Sequence, residues 1–178
     1  MTQSISFAVI GGSGLYAMPG LKDVEEIKVS TPFGDPSDVI VVGTLSGQRV
    51  AFLPRHGRGH RFTPSEVPYR ANIYALRSLG ARHVISVSAC GSLRINYKPC
   101  DIVVPDQLID FTKGKRAASF FDNGIVGHVS FAAPFSASLS AALADAVQAE
   151  GGTAHRESLL PEPALQALAA ARGARHRR

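Results

Sequence analysis

Arginine, histidine, serine and glycine are concentrated in three short stretches, each of which directly follows an apolar run. The stretches are GGSG at 11–14, RHGRG at 55–59 and SACGS at 88–92. Backbone N–H groups, small hydroxyls, and guanidinium or imidazole nitrogens are the donors that bind an oxyanion. Arginine suits phosphate because its planar guanidinium donates two parallel hydrogen bonds. The three stretches together therefore indicate a phosphate site.

The placement of these stretches after apolar runs predicts how they would meet. If the three preceding runs are strands that lie side by side in one sheet, their ends converge on one pocket. A phosphate in that pocket would contact Ser13 from the first stretch and Arg55 and His56 from the second. The third stretch would supply the Ser88 hydroxyl and the backbone amide of Ala89.

Other interpretations of the same residues remain open. Glycine-rich strand ends are usually turns, and Arg58, His60 and Arg61 are interpreted as solvated loop residues. Cys90 after an apolar run is more often a small core residue than a nucleophile. The stretch GGSGLYA carries the glycines of a dinucleotide fingerprint, but that fingerprint requires a long helix, and Pro19 arrives too soon for one.

Apolar β-branched runs separated by turn residues predict six strands. They are SFAVI at 6–10, VEEIKVST, DVIVVGTLSG, QRVAFLP, HVISVSA at 83–89 and DIVVPDQLI. The turn signals FGDPSD and SGQ separate the second, third and fourth runs, which favours antiparallel pairing there. HVISVSA is almost continuously apolar or small, which is typical of a central strand.

Helical spacing of apolar residues predicts two helices beside these strands. The first lies in TPSEVPYRANIYALRSLG and begins either at a capping box formed by Thr63 and Glu66 or near Tyr69, and Gly80 ends it. The second is SASLSAALADAVQAEG, and LPEPALQALAAARG at 160–173 would form a further short helix. The predicted fold class is α/β, with a mixed central sheet flanked by helices.

Composition excludes several classes of function. Residues 1–150 hold 14 Lys and Arg against 12 Asp and Glu, so the basic surplus lies largely in the tail and no nucleic-acid face is expected. No apolar run is long enough for a membrane span, and the N-terminus does not resemble a signal peptide. The two cysteines have no metal-ligand spacing, which predicts a cytoplasmic protein without a metal.

The same stretches occur in an order that resembles the methylthioadenosine phosphorylases, a branch of the trimeric purine nucleoside phosphorylase family. The matching segments are IGGSGLY, TPFGDPSD, LPRHGRGHRFTPSEVPYRANIYAL, SVSACGSLR, DIVVPDQLIDFTKGKRAASFFDNG and GHVSFAAPF. They cover nearly all of residues 5–155, and ACGSLR with TPFGDPSD favours the methylthioadenosine branch.

The resemblance implies phosphorolysis of 5′-methylthioadenosine to adenine and 5-methylthioribose 1-phosphate, with inorganic phosphate as co-substrate and no cofactor. It assigns Ser13, Arg55, His56, Ser88 and Ala89 to the phosphate site. By the same resemblance, His128 would approach the 5′ pocket of a neighbouring subunit in a homotrimer. Other substrates, methylthioinosine or further purine nucleosides, remain alternatives.

The chain departs from the family pattern at two places. Cys100 stands where the family usually has glycine in a turn, and the resemblance stops near GGTAHR. We therefore expect a phosphorylase-like domain over residues 1–155 that is incomplete at its C-terminus, followed by an Ala/Arg-rich tail over 156–178 from a truncation or a frameshift. The family's purine-side acid is absent, so the catalytic residue is unknown. A non-catalytic remnant that binds phosphate or a full-length subunit is the alternative.

Overall fold

The computed structural model describes residues 5–12, 14–15, 18–112, 114–117 and 119–157. The chain divides into two compact units, the first formed by Met1–Cys90 with Thr112–Asp122 and the second by Gly91–Phe111 with Asn123–Arg178. The helix predicted at 160–173 lies outside the described residues. The domain boundary expected at residue 155 remains a prediction.

The first unit is built on a five-stranded sheet. Its strands are β1 (Phe7–Gly11), β2 (Lys22–Ile27), β3 (Ile40–Leu45), β4 (Gln48–Pro54) and β5 (His83–Ser86). Their order across the sheet is β2-β3-β4-β1-β5. The β2–β3 and β3–β4 pairs are antiparallel, whereas β1 runs parallel to both β4 and β5. The mixed sheet and the antiparallel pairs are thus confirmed.

Alternation of side chains along the strands creates a separate apolar cluster on each face of this sheet. One cluster joins helix α1 (Tyr69–Ser78) to the sheet through Ala75 and Leu76, both of which are fully buried. The strand residues of this cluster are Ala8, Ile10, Ile40, Val42, Ala51 and Leu53. The residues between them point the other way, and Phe52 is the largest member of the second cluster. The mixed α/β class predicted from the sequence is confirmed.

Helix α1 begins at the later of the two starts that the sequence left open. Pro68 is its N-cap residue, and Gly80, with φ +104°, follows its C-terminal end. The bonds of the expected capping box are present, because the Thr63 amide and hydroxyl both donate to Glu66 Oε2 at 2.9 and 2.7 Å. They close a turn ahead of the helix rather than its first turn.

The prediction of a long central strand at 83–89 was wrong. Strand β5 has four residues, and among the described residues only β1 pairs with it. Val84 is 38% exposed and Val87 is 41% exposed. Apolar composition is typical of a strand covered on both faces, but it does not say how many partners the rest of the chain provides.

The second unit contains a parallel pair of short strands, β6 (Ile102–Pro105) and β7 (Ala154–Glu157), and helix α2 (Ala137–Ala149) packs against both. Ser136 caps α2 by accepting a hydrogen bond from the Leu139 amide. Asp101 and His155 Nε2 lie 2.8 Å apart and tie the two strands together. Hydrogen bonds from the Lys98 amide and from His155 hold the pKa of Asp101 below its usual value. Strand β7 was not predicted from the sequence.

Large apolar side chains of the second unit are widely exposed. Leu93 and Ile95 are fully exposed, and Phe111 and Val126 are 86% and 79% exposed. Large apolar side chains are more often buried than exposed to this degree in folded proteins. Among the described residues, the structure contains no helix with the length and apolar character needed to span a membrane.

Cys100 has a φ of 76°, in the left-handed region where a side chain is strained. Replacing Cys100 by glycine should therefore raise the free energy of unfolding by about 1 kcal/mol. Cys100→Ala is the matched control, because it removes the thiol and keeps the Cβ that causes the strain. Chemical denaturation of the three proteins measures the effect. Equal stabilisation by alanine would show that the thiol, not the backbone, is responsible.

Candidate functional site

The ends of three parallel strands form one edge of the first unit. Strand β1 lies between β4 and β5 and runs parallel to both, so all three strands end at the same edge of the sheet. The Arg55 amide donates to the Gly11 carbonyl at 3.0 Å, and the Val87 amide donates to the Ile10 carbonyl at 2.8 Å. The arrangement of neighbouring strands that the sequence analysis required is therefore present.

Two glycines allow the chain to approach this closely. A Cβ on Gly11 would lie 3.2 Å from the Val87 carbonyl oxygen, and one on Gly57 would lie 2.9 Å from the Ser37 carbonyl oxygen. Gly57 also has a φ of +71°. Any other residue at position 57 would meet both a backbone clash and conformational strain.

A cavity of about 150 Å³ lies between the first two loops. Its lining residues are Gly11, Gly12, Pro54, His56, Gly57, Gly59 and His60. Arg55 is half-buried and directly precedes the lining residue His56 in the sequence. Ser88 and Ala89 follow β5 and are exposed. None of these three residues lines the cavity. The structure thus brings the loops together without closing the third over the pocket. Ser13 lies outside the described residues, and His128 is an exposed residue of the second unit.

Both ring nitrogens of His56 have partners within the protein. Arg55 Nε lies 3.2 Å from His56 Nε2, and His56 Nδ1 lies 2.8 Å from the Phe62 carbonyl oxygen. A guanidinium can only donate and a carbonyl can only accept. In this arrangement His56 Nε2 accepts from Arg55 Nε and orients its guanidinium, while Nδ1 faces the Phe62 carbonyl. The His60 ring stacks on His56 with the ring centroids 4.4 Å apart.

The other two arginines of this loop pair with acids. Arg58 Nη2 lies 2.6 Å from Glu26 Oε1, and Arg61 Nη2 lies 3.3 Å from Asp38 Oδ2. Both arginines are exposed, as the sequence analysis expected, but they also hold the loop in place. Among the described residues, Arg55 has no acidic partner, and its terminal nitrogens have no hydrogen-bond partner. Arg55 is therefore the arginine of the loop that is available to an anion.

Asp38 is the main anchor of the loop outside the sheet. Its Oδ2 accepts from the Arg58 amide at 2.6 Å, and its Oδ1 accepts from the Val39 amide at 2.9 Å. Burial acts to raise the pKa of this carboxyl group. The two amide hydrogen bonds and the charges of Arg61 and Arg58 outweigh burial and lower the pKa below its ordinary value of 3.8.

A buried polar network lies beneath the loop. Asn72 Oδ1 accepts from the Ser37 amide at 2.8 Å, and the Ser37 hydroxyl donates to the Pro54 carbonyl at 2.7 Å. Ser37 and Asn72 are 0% and 2% exposed. The network joins the TPFGDPSD segment to helix α1 and to the end of β4. No role was predicted for these residues from the sequence, although Asn72 is a polar residue on the apolar face of α1, which was the available signal.

Known proteins share long stretches of this sequence. The family model described as the phosphorylase superfamily matches residues 6–160. The chain belongs to the phosphorylase superfamily. The S-methyl-5′-thioadenosine phosphorylase of Chloroflexus aurantiacus is 59% identical over 157 residues, which is 88% of this chain and 54% of that protein. The enzyme of the same name from Hyperthermus butylicus is 63% identical over 128 residues, 72% of this chain and 46% of that one.

Solved structures of the superfamily have the same fold. A methylthioadenosine phosphorylase from an antarctic soil metagenomic library matches with a TM-score of 0.84 and 48% identity, over 90% of this chain and 58% of that chain. The methylthioadenosine phosphorylase of Schistosoma mansoni in complex with adenine matches with a TM-score of 0.79 and 35% identity, over 86% of this chain and 63% of that chain. The chain spans about half the length of the curated relatives that it matches.

The dinucleotide-binding alternative fails on the structure of the first loop. Strand β2 begins at Lys22, only eleven positions after β1 ends at Gly11, and none of the described residues between them is in an α-helix. A dinucleotide fingerprint requires a helix whose N-terminus faces the pyrophosphate. Across the described ranges, no three His, Cys, Asp or Glu side chains group as metal ligands. The expectation of no metal remains a prediction.

The contribution of Asp38 to stability should depend on pH. Since its folded pKa is lower than its ordinary value, the contribution is present above pH 3.8 and is lost as the pH falls through the folded pKa. Asp38→Asn should be less stable than the parent at neutral pH, and the difference should shrink in acid. Urea denaturation across this range measures it. A difference that does not change with pH would contradict the assigned role of the carboxylate.

The buried network should control both stability and loop order. Asn72→Ala leaves the Ser37 amide without an acceptor, which should lower the free energy of unfolding by about 1–3 kcal/mol. Exchange of the Gly57 amide hydrogen, which bonds to the Pro54 carbonyl, should become faster. Asn96→Ala, at an exposed asparagine, is the control and should change stability by less than about 0.5 kcal/mol. An unchanged rate of Gly57 amide exchange in Asn72→Ala would show that the buried network does not order the loop.

Proposed function

We propose that the protein of which this chain is part catalyses phosphorolysis of 5′-methylthioadenosine, releasing adenine and 5-methylthioribose 1-phosphate. The observation that carries the proposal is Arg55, held at the ends of three parallel strands with its terminal nitrogens unpartnered among the described residues. Curated relatives named S-methyl-5′-thioadenosine phosphorylase support the choice of substrate. Inorganic phosphate is the co-substrate, and no cofactor is needed.

The reaction requires a phosphate oxygen to attack the anomeric carbon while the bond to the purine nitrogen breaks. The electron pair of that bond leaves with the purine, which takes up the proton that phosphate loses on forming the sugar phosphate. Arg55 would hold the nucleophile by a pair of parallel hydrogen bonds, because His56 engages only its Nε. Holding phosphate in this way lowers the activation barrier, because the nucleophile is already positioned next to the anomeric carbon when the reaction begins.

We assign the remaining predicted residues to the same site. Ser13, the Ser88 hydroxyl and the Ala89 amide would complete the oxygen contacts of phosphate. His56 would act mainly by orienting Arg55, because both of its ring nitrogens are engaged within the protein. His128 would contribute to the 5′ pocket of a neighbouring subunit. Homotrimeric assembly and a cytoplasmic location remain predictions.

The test of the proposal is adenine release from 5′-methylthioadenosine by the purified chain, with and without phosphate. Release that depends on phosphate would support it. Methylthioinosine and other purine nucleosides, assayed in parallel, would distinguish the alternative substrates. Folded protein that binds phosphate without releasing any purine base would instead support the alternative of a non-catalytic remnant.

Arg55→Ala should raise the phosphate KM by at least about tenfold, the effect of losing one charge-assisted interaction, and should change the nucleoside KM little. Arg55→Lys should recover only part of the affinity, because an ammonium group cannot donate in a planar pair. Arg82→Ala, which removes an exposed arginine of the same unit, is the control. A phosphate KM that is the same in Arg55→Ala and in the parent would refute the assignment of Arg55. For a chain without turnover, phosphate Kd by calorimetry replaces KM.

A further inference from the structure

A second cavity in the first unit lies away from the ends of the parallel strands. It has a volume of about 200 Å³ and surrounds the start of helix α1. Its lining residues are Phe33, Ser65, Val67, Pro68, Tyr69, Arg70, Ala71, Lys115, Arg116 and Ala117. None of them lines the cavity beside His56. Three of the ten are cationic and none is acidic, so the lining has a strongly positive charge.

Only one of the three cations is neutralised within the described residues. Arg70 Nη1 lies 3.1 Å from Asp122 Oδ2, and the guanidinium lies over the Phe33 ring at 5.0 Å. Lys115 and Arg116 form no ion pair with any residue that the structure describes. The cavity therefore keeps a net positive charge after internal pairing.

Arg116 has an unsatisfied donor. Its Nε is buried and has no hydrogen-bond partner among the described residues, while its guanidinium lies over the Tyr69 ring at 5.3 Å. Buried donors in folded proteins are nearly always paired, and an exception often marks the place of a water or an ion. An acceptor in the adjoining cavity would satisfy this group.

The backbone adds to the positive potential. Helix α1 has no side-chain hydrogen bond at its N-cap and no acidic residue in its first turn. Two residues of its first turn, Arg70 and Ala71, line the cavity. The positive end of the helix dipole thus acts in the same direction as the cationic side chains.

We propose that this cavity is a second anion site, which binds the phosphate group of a small phosphomonoester. The guanidinium of Arg116, the ammonium of Lys115 and the hydroxyl of Ser65 are donors suited to the several oxygens of one phosphate. The volume exceeds that of a phosphate group, and the Tyr69 and Phe33 rings supply an apolar wall for the remainder of the ligand. The site does not depend on the function proposed for the strand ends.

Amide chemical shifts of the full chain, titrated at physiological salt, test the site. The probes are ribose 5-phosphate, inorganic phosphate and ribose. Saturable shifts at Ser65, Arg70 and Ala71 with ribose 5-phosphate, and none with ribose, are expected. Tighter binding of ribose 5-phosphate than of inorganic phosphate would identify a monoester site, and equal affinity would identify a site for free phosphate. Neither phosphate probe shifting these amides would overturn the proposal.

Variants separate this site from general electrostatic attraction and from the strand ends. Arg116→Ala and Lys115→Ala should each weaken binding about tenfold, whereas Lys28→Ala, at an exposed lysine that does not line the cavity, should not. Equal weakening by Lys28→Ala would show non-specific attraction and overturn the site. The shifts at Ser65 and Ala71 should persist in Arg55→Ala, because Arg55 does not line this cavity. This variant therefore distinguishes a wrong assignment of the strand-end site from a wrong assignment of this one. Lys115 is exposed, which keeps the test valid if Arg116→Ala does not fold.

Discussion

The hydrogen bond from the Ser37 amide to the Asn72 carboxamide is the interaction on which the candidate site depends most. It joins two segments 35 residues apart in a place that water does not reach, and the Ser37 hydroxyl extends the connection to the Pro54 carbonyl. An unpaired buried amide is costly, so these groups are satisfied only when helix, loop and strand end occupy their observed positions. The direction in which the chain leaves β4 is fixed in this way before any ligand binds.

Two kinds of contact hold the loop that follows β4. Beneath it the contacts are neutral and buried; outside it, Asp38 binds the Arg58 amide and pairs with Arg61. The exposed ion pairs are individually weak, since solvent screens them. Their effect is to engage Arg58 and Arg61 with acids and to leave Arg55 at the strand ends. The His56 ring then sets the direction of the Arg55 guanidinium, so the positive charge is both present and oriented.

Local sequence predicted the elements well and their partners less well. The glycine stretches, the antiparallel β2–β3–β4 connection and the convergence of strand ends follow from short-range patterns, and the structure confirms them. The edge position of β5 could not be inferred, because the number of neighbours of a strand is decided by distant parts of the chain. The role of Asn72 was missed for the same reason, since its partner lies in a loop far away in sequence. Strand β7 is too short, at four residues, to show a pattern. Cys100, at the turn where the family usually has glycine, has a positive φ, which is the conformation that favours glycine.

Arginine pairing gives a physical criterion that connects the two anion sites. Five arginines of the described chain pair with acids: Arg49, Arg58, Arg61, Arg70 and Arg94. Exposed arginines that pair with no acid among the described residues, such as Arg82, keep their hydration and need no counter-ion. Arg55 and Arg116 are different because each is half-buried and has no acidic partner among the described residues. Partial burial removes water from a charge, and only another charge or a set of hydrogen bonds replaces it. An anion at each position would supply that replacement, so burial without pairing, rather than the presence of arginine, is what points to a ligand.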